Sequence, residues 1–366
     1  MGVIPQIHVN KPTTITNTTN PGRAGKVAII GAFSSSAGTS TLRAFSDLAS
    51  AETVLGTDTT LAGTSALKQL FNKNSGVSSV LVANITTVES ETVQSTLTAT
   101  KLANALNLLK SEDFDILFIA ANMDDTALGT VKDFLDEAYD SKKPVGLIAP
   151  LTRTGTGETA AAIASSQITA YTTTANIFND GGLYGFITQQ FTIGSTELSL
   201  IDSAAYYAGL VASKELTESF TMKDLKDVKA ITPEYTYSTN DLGEKLVKAG
   251  ITVARCQSRI DNNYVIINSE LPSGLDLYIE RAKDYIIRDL AFESVLGERN
   301  RSITLATIKN IIETRKQTYI NTLDLLEDLT YSVEKVSTNC INIYLNKLVF
   351  SGIVTDINVY VTVGVE

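Results

Sequence analysis

The sequence predicts an α/β fold in two parts, an α/β domain with a mostly parallel sheet and an α+β unit that follows it. Between residues 26 and 150, short apolar runs alternate with amphipathic helical segments, which is typical of a parallel sheet with helices on both faces. After residue 241, two long helical patterns are flanked by strand patterns. Both ends of the chain alternate apolar and polar residues, which predicts extended terminal strands.

The composition is that of a globular protein with buried cores. The chain has 366 residues, of which 43% are hydrophobic and 19% charged, so it is long enough for two domains. It carries 40 acidic and 30 basic residues, and the net charge of −10 disfavours a surface that neutralises nucleic-acid phosphates. No apolar run reaches the roughly 18 residues that a membrane-spanning helix needs. We therefore expect neither a nucleic-acid partner nor direct insertion into a membrane.

The α/β domain is predicted over residues 22–240, after a Thr/Asn-rich linker, KPTTITNTTNPG. Its predicted strands are KVAIIGAF, SSVLVANI, FDILFIAA and PVGLIAP, with TTTANIF and LYGFITQQF further on. Its predicted helices are SALKQLFNK, TVQSTLTATKLANALNLLK, TALGTVKDFLDEAYD and SAAYYAGLVASKEL. The last of these is rich in small residues, and we expect it to be buried with Tyr206 and Tyr207 as packing residues.

The second unit begins with a helix, TNDLGEKLVKAG, that ends at Gly250, and continues with the strands ITVARCQ and YVIINSE. Two long helices follow, over about 276–296 and 303–323. Their apolar stripes are Ile279, Ala282, Ile286 and Leu290 on the first, and Ile308, Ile312, Tyr319 and Leu323 on the second. Cys256 and Cys340 fall in predicted strands, where we expect small buried side chains; a disulfide is the alternative.

The two ends of the chain share a period of two. Near the C-terminus the apolar residues are Ile353, Ile357, Val359, Val361, Val363 and Val365, and near the N-terminus they are Val3, Pro5, Ile7 and Val9. A short strand on a polar linker is not stable alone, so the N-terminal strand must pair with a sheet. That sheet belongs either to its own chain or to a neighbouring subunit.

The loop after the first strand, GAFSSSAGTST, fits neither common nucleotide-binding motif. Six residues rather than four separate Gly31 from Gly38, and Thr39 stands where a Walker loop has lysine. The chain has a single histidine, His8, which excludes a multi-histidine metal site within one core. Asp124 and Asp125 follow a strand and precede a helix, where we expect a helix cap, with catalysis or metal binding as the alternative. These features predict no enzyme activity, no metal site and no cofactor.

These segments together resemble the contractile tail sheath proteins of bacteriophages and related injection systems. The stretch NPGRAGKVAIIGAFSSSAGTSTLRAFSDLASAETVLG is similar to the first strand of a sheath and its glycine loop. The stretch ALKQLFNKNSGVSSVLVANI is similar to the next helix and strand, with Asn84 where sheaths usually have arginine. The part from AGITVARC to RKQTYI resembles the inner sheath domain with its two long helices, and LVFSGIVTDINVYVTVGVE resembles the C-terminal strand.

The resemblance implies four segments: an N-terminal arm and linker (1–21), an outer α/β domain (22–240), an inner α+β domain built from both chain ends (241–350) and a C-terminal strand arm (351–366). It also implies that the arms add strands to the sheets of neighbouring subunits, which links stacked hexameric rings into a mesh around an inner tube. The arm residues that would do so are Val3, Ile7, Val9, Ile357, Val359, Val361 and Val363.

Further implications concern partners and location. The partners would be other copies of the chain, a tail tube protein, and baseplate and tail terminator proteins. The last long helix would face the tube through Lys309, Glu313, Arg315 and Lys316; a solvated helix face is the alternative. The particle would be a virion tail, or a contractile particle in the cytoplasm, assembled in the host cytoplasm. Two other functions stay open: a virion or surface-layer protein that assembles without contracting, and an α/β enzyme acting on a nucleotide or sugar.

Overall fold

The computed structural model describes residues 8–10, 25–34, 42–72, 77, 79–85, 97, 99–156, 159–235, 241–258, 263–290, 305–337 and 340–350. The strands are β1 His8–Asn10, β2 Val27–Gly31, β3 Leu42–Phe45, β4 Val80–Asn84, β5 Ile116–Ile119, β6 Gly146–Pro150, β7 Leu183–Ile187, β8 Gln190–Ile193, β9 Thr196–Glu197, β10 Val228–Thr232, β11 Ala254–Ser258, β12 Asn263–Ile266, β13 Asp328–Ser337 and β14 Cys340–Val349. The helices are α1 Leu48–Leu55, α2 Ala62–Leu70, α3 Ala99–Leu109, α4 Asp125–Asp140, α5 Ala160–Ala175, α6 Leu200–Ser213, α7 Leu242–Lys248, α8 Leu277–Asp289 and α9 Leu305–Gln317.

Six strands form a sheet in the order β3-β4-β2-β5-β6-β7. All neighbouring pairs from β4 to β7 are parallel, and β3 pairs antiparallel with β4 at one edge. Every residue of β2, β5, β6 and β7 is buried. Strands that are covered on both faces need apolar side chains at successive positions, which explains their continuous apolar runs. The predicted mostly parallel sheet is therefore confirmed.

Two apolar clusters cover the two faces of this sheet. On β2, Val27 and Ile29 belong to a cluster that contains residues of α1, α2 and α6. The alternate residues Ala28 and Ile30 belong to a second cluster with residues of α3, α4 and α7. The strand period of two thus sends successive side chains into separate cores. Both cores consist mainly of aliphatic and aromatic side chains, so the sheet is held by burial on each side.

Helix α6 is the buried helix that the sequence predicts. Each residue from Ile201 to Ala212 is buried. Tyr206 donates its hydroxyl hydrogen bond to the Lys226 carbonyl at 2.6 Å, and Tyr207 packs edge-on against Phe220 with ring centroids 6.1 Å apart. Both tyrosines are packing residues, as expected, and the alanine and glycine residues on either side of them allow the helix to lie close to the sheet.

The structure corrects two predicted strands. The segment TTTANIF is the end of α5 followed by a 3-10 turn, Asn176–Phe178. Threonine favours strands, but here the Thr172 and Thr174 hydroxyls donate to the carbonyls of Ile168 and Ala170 one helical turn earlier, which is compatible with a helix. The segment LYGFITQQF forms two strands, β7 and β8, that belong to different sheets.

Gln189 explains why that segment is divided. Its side chain is buried between the two strands and bonds both the amide and the carbonyl of Ala254, at 2.8 and 3.1 Å, and also the carbonyl of Pro233, at 2.8 Å. These contacts anchor the bend between β7 and β8 to β11. On that strand, Cys256 is a free thiol, which contradicts the alternative of a disulfide, and it is half-buried against a core, which is less burial than expected; the side chain of Cys340 lies outside the described residues.

We name α8, α9 and the three-stranded sheet β1-β14-β13 the terminal lobe. β13 and β14 are antiparallel, and β1 runs parallel to β14 with His8 opposite Asn342. In this single chain the N-terminal strand therefore pairs with its own chain. One apolar cluster fills the lobe, and it contains Ala282, Ile286, Leu290, Ile308, Ile312, Tyr319, Leu323, Leu329, Ile343, Leu345 and Leu348.

The long helices follow their predictions closely. α8 ends at Asp289, and residues 291–296 of the predicted helix lie outside the described residues. α9 is extended by a π-helical turn, Thr318–Thr322. All four residues of its predicted stripe are buried, whereas Ile279 on α8 is only half-buried. The apolar packing of the parallel sheet continues beyond residue 240, because Leu246 and Ile251 belong to one of its clusters.

Candidate functional site

The start of the loop after β2 packs against β4 and α2. The ring of Phe33 is fully buried there, and Asn84 accepts from the Phe33 amide at 3.2 Å and donates to the Ser34 carbonyl at 3.4 Å. Gly63, at the start of α2, donates its amide to the Ala32 carbonyl at 2.9 Å and lies so close that a Cβ atom would collide with this carbonyl and with the Phe33 ring. The described residues of this loop are therefore packing residues.

Asp124 and Asp125 have different contacts. Asp124 caps α4, since its carboxylate accepts from the Ala127 amide at 2.8 Å. Asp125 accepts from Arg153 at 2.6 Å and from the Thr174 hydroxyl at 2.8 Å, which ties α4 to α5. Within the described residues, no three His, Cys, Asp or Glu side chains converge as metal ligands. The expected capping is therefore present, and Asp125 has a structural partner.

The sheet of the terminal lobe has two unlike faces. Leu329, Ile343 and Leu345 point into the lobe and are buried. Thr330, Ser332, Glu334 and Asn346 are exposed. Tyr344 accepts from the Asn342 side chain at 2.7 Å and donates to Glu334 at 3.4 Å on this open face. Among the described strands, β1 and β13 are the edges of this sheet, and an edge strand can pair with another chain through its main-chain groups.

The four predicted tube-facing charges on α9 divide into two pairs. Lys309 and Glu313 are exposed, and Tyr331 donates to the Lys309 carbonyl at 3.1 Å and to the Glu313 carboxylate at 3.3 Å. Arg315 and Lys316 are half-buried and have acidic partners within the chain. Arg315 forms an ion pair with Asp289 at the end of α8, and Lys316 lies 3.2 Å from Asp328 on β13.

Helix α8 connects the terminal lobe to the parallel sheet through two chemically different faces. Its apolar face, Ala282, Ile286 and Leu290, belongs to the core of the lobe. Its other face carries charged side chains that are almost completely buried: Glu280 is 0% exposed, Lys283 2% and Asp284 4%. Burying charges is unfavourable unless each one is paired or hydrogen-bonded. The partners of these side chains therefore determine whether the contact of this face with the parallel sheet is stable.

Those partners lie at the amino ends of the parallel strands. The Gly182 amide donates to Glu280 at 3.3 Å, and Lys283 also donates to this carboxylate. Tyr184 on β7 donates its hydroxyl to Asp284 at 2.8 Å. Gly181, with φ of 116°, lies so close to Glu280 that a Cβ atom would collide with the carboxylate. The close approach of helix and loop at this point therefore requires glycine.

Arg288 holds the carboxyl-terminal end of α8 against the amino ends of the same parallel strands. It forms an ion pair with Asp115 at 2.6 Å and donates from Nε to the Pro144 carbonyl at 2.9 Å. Its remaining donors reach the carbonyls of Phe114 and Pro144. We name the contact of Glu280, Lys283, Asp284 and Arg288 with the amino ends of β5 to β7 the α8 joint.

The pKa shifts in the α8 joint follow from burial. Burial raises the pKa of Asp284 to about 6, against the opposing charge of Lys283, and the negative charge of Glu280 adds to the rise. Burial alone would lower the pKa of Lys283, but the charges of Glu280 and Asp284 raise it, so this lysine stays charged. Burial also raises the pKa of Tyr184 well above its usual value, so its hydroxyl keeps the proton that it donates.

The predicted arm residues fall mainly outside the description. Val9 lies in β1, opposite Ile343 of β14. Val3, Ile7, Ile357, Val359, Val361 and Val363 lie outside the described residues. Sequence reasoning missed the α8 joint, because the charges of α8 have the spacing of an ordinary solvated helix face. The one available signal was the high density of charges, with only a narrow apolar stripe, on a helix between two cores.

The sequence matches no protein-family model and no curated protein. In fold, the chain is similar to a sheath tail protein from Listeria innocua, with a TM-score of 0.60 and 14% identity over 87% of this chain and 90% of that one. It is similar to a chain of the anti-feeding prophage baseplate, with a TM-score of 0.64 and 13% identity over 100% of both chains. It is also similar to the helical sheath of the anti-feeding prophage in its contracted state, with a TM-score of 0.60 and 14% identity over 99% of both chains. The chain therefore has the fold of tail sheath proteins.

Proposed function

We propose that this chain is a structural subunit of a contractile tail sheath. Copies of it would polymerise as stacked hexameric rings around an inner tube, and contraction of this assembly would drive the tube through a target envelope. The observation that carries the proposal is that the likeness in fold to a contracted helical sheath extends over 99% of both chains, so that it includes the terminal lobe as well as the parallel sheet.

Strand exchange by the terminal arms is the proposed means of polymerisation. In the single chain, the described residues of β1, His8–Asn10, pair with β14 at an edge of the sheet of the terminal lobe. A parallel pairing at the edge of a sheet can be replaced by the same strand of another copy, because main-chain hydrogen bonds are independent of the chain that supplies them. The proposed exchanged residues are Val3, Ile7 and Val9 on the N-terminal arm and Ile357, Val359, Val361 and Val363 on the C-terminal arm.

The proposed partners are other copies of the chain, a tail tube protein, and baseplate and tail terminator proteins. For the tube, α9 is the proposed contact, and Lys309 and Glu313 are its exposed charges. Arg315 and Lys316 would contribute less, since both have acidic partners within the chain. Among the described helices, none combines the length and the apolar character that crossing a bilayer requires. The proposed location is a virion tail or a contractile particle, assembled in the host cytoplasm.

The proposed role is non-enzymatic and without a cofactor. Its support is the packing described above, in which Phe33, at the start of the loop after β2, is buried against Gly63 and donates its amide to Asn84. The work of contraction would then come from a change in interface between subunits, since a ligand or contact shifts an equilibrium only through its different free energy in the two states.

Electron microscopy of the purified chain tests this function. The intact protein is compared with a variant that lacks residues 1–15 and with the pair Val9→Pro and Val9→Thr. Proline removes a main-chain donor from β1, whereas threonine keeps the capacity to form a strand. We expect hollow cylinders or stacked rings from the intact chain and from Val9→Thr, and single particles with native circular dichroism from the truncated chain and from Val9→Pro.

Other outcomes are equally informative. Compact monomers from all four proteins at high concentration would contradict the sheath function. Rings or cylinders from all four would show assembly without exchange of the N-terminal strand. Flat sheets in place of cylinders would favour a surface-layer protein.

A further inference from the structure

The α8 joint is the weaker of the two contacts that hold α8. The apolar face of the helix lies in a closed core with α9 and the sheet of the terminal lobe. The charged face meets the parallel sheet through ion pairs and hydrogen bonds, and one oxygen of this contact, Glu280 Oε2, is buried without a hydrogen-bond partner. A buried ionic contact has a large desolvation cost that offsets its attraction, whereas apolar burial has no such cost. When the two parts of the molecule separate, α8 therefore stays with the terminal lobe.

The geometry also defines a pivot. Leu277, in the first turn of α8, belongs to a core of the parallel sheet, and Asp276 caps the helix by accepting from the Tyr278 amide at 3.0 Å. Arg281 fixes the same end by donating to the Lys214 carbonyl at 2.9 Å, at the carboxyl end of α6. From this anchored end, rotation of α8 away from the sheet would separate Glu280, Asp284 and Arg288 from their partners.

Water reaches the α8 joint through a cleft. A cleft of about 40 Å³, which has room for a few water molecules, lies beside the helix, and Asp115, Tyr184, Arg281, Asp284, Tyr285 and Arg288 line it. Protons can therefore equilibrate with Asp284 even though the side chain is 4% exposed. The titratable and charged groups around Asp284 are Glu280, Arg281, Lys283, Tyr285 and Arg288 on α8, Tyr184 on β7, Tyr139 on α4, Asp180 in the turn before β7 and Asp115 before β5.

We propose that the α8 joint is a proton-sensitive hinge contact, in which a protonated Asp284 holds the parallel sheet and the terminal lobe together and an ionised Asp284 loosens them. This inference goes beyond the proposed function, because it concerns one chain and does not require polymerisation. The two negative charges of Glu280 and Asp284 share Lys283 as their near cation. Protonation of Asp284 removes one of these charges, and the Tyr184 hydroxyl still has an oxygen to which it can donate.

The direction of the pH effect depends on whether Asp284 binds its proton more tightly in the closed joint or in the open joint. Burial raises its pKa to about 6 in the closed joint, whereas an open joint would return this carboxyl to water and to its ordinary pKa near 3.8. The closed joint thus binds the proton more tightly, so closure is favoured at acid pH and weakens as pH rises through about 6.

Amide exchange of two glycines tests the hinge contact. The Gly182 amide donates across the joint to Glu280, whereas the Gly63 amide donates to the Ala32 carbonyl at 2.9 Å, beyond the carboxyl end of β2 and away from the joint. Exchange of both is followed by NMR of the ¹⁵N-glycine-labelled full chain between pH 5 and 7.5, with correction for the intrinsic exchange rate. We expect the protection of Gly182 to fall about tenfold over this range, while that of Gly63 stays constant.

Three variants make the test specific. In Asp284→Asn, the protection of Gly182 should become independent of pH. In Tyr184→Phe, the ionised carboxylate loses a donor, so the change should move to higher pH. Asp133→Asn, which removes an exposed carboxylate from α4, should behave as the wild type. The proposal is overturned if Asp284→Asn keeps the pH dependence, if the protection of Gly182 does not depend on pH in the wild type, or if Gly63 loses protection together with Gly182.

Discussion

The parallel sheet and the terminal lobe are stabilised in different ways. Helices cover both faces of the parallel sheet, and Ile29 and Phe118 in its central strands are fully buried. The sheet of the terminal lobe is covered on one face, while Ser332 and Asn346 on the other are exposed. The side chains of the parallel sheet are buried against helices on both faces, whereas the sheet of the terminal lobe has a polar face and strand edges at the surface. The proposed assembly would therefore use a different part of the chain from the one with the larger buried core, and the α8 joint lies between them.

The largest effect is expected from a cavity in the parallel sheet. Replacing Phe118 by alanine removes a fully buried ring from the central strand β5 and should lower the free energy of unfolding by about 3–5 kcal/mol. Ile29→Val, on the neighbouring strand, removes one methylene from the same cluster and should cost about 0.5–1.5 kcal/mol. Denaturant unfolding followed by circular dichroism measures both. Equal, small losses would show that this core relaxes easily, and the contrast between the two regions would fail.

An intermediate effect is expected at the α8 joint. In Arg288→Met, Asp115 loses its ion pair and the Pro144 carbonyl loses a charged donor, which should lower the free energy of unfolding by about 1.5–3 kcal/mol. Lys26→Met is the matched control, since Lys26 forms only an exposed pair with Asp113, at 2.9 Å, and should cost about 0–1 kcal/mol. The same unfolding measurement applies. If the two variants cost the same, the buried contacts of Arg288 do not hold the joint.

The smallest effect is expected at the carboxyl ends of the parallel strands, where Asp124 caps α4. Asp124→Ala leaves the Ala127 amide without its acceptor and should cost about 1 kcal/mol. Asp133→Ala, on the exposed face of the same helix, should change the free energy of unfolding by less than about 0.5 kcal/mol. Thermal unfolding of both variants separates capping from the loss of a charge. A much larger loss for Asp124 would indicate a role for this carboxylate beyond the cap.

The sequence correctly predicted the regions in which a single physical requirement, burial of apolar side chains, sets the residue pattern. The strands from β2 to β7 are apolar runs because they are buried on both faces, and this pattern is legible without a structure. The apolar stripe of α9 was legible for the same reason, and its members Ile308 and Ile312 are buried. The end of α5 was misread because threonine favours strands by propensity, whereas Thr174 is held in a helix by contacts with Asp125 and Arg153, which are distant in sequence.

The α8 joint shows that contacts between residues distant in sequence cannot be predicted from a local sequence pattern. Glu280, Lys283 and Asp284 read as a solvated helix face, and their burial depends on Gly182 and Tyr184, about a hundred residues earlier in the chain. No local rule connects those positions. In the same way, the alternation at Val9 predicted a strand but gave no partner, and β14 as that partner became known only from the fold.

The pairing of β1 with β14 also sets an order of events during synthesis. Ribosomes add about 5–20 residues per second, so a chain of 366 residues takes on the order of 20–70 s to make. The parallel sheet, from Val27 to Ile187, emerges well before β14 and can fold while translation continues. His8 is made early, but it can pair with Asn342 only after that residue has been added. β14 is thus made after every strand of the parallel sheet, and a chain that ends before Cys340 lacks the strand with which β1 pairs.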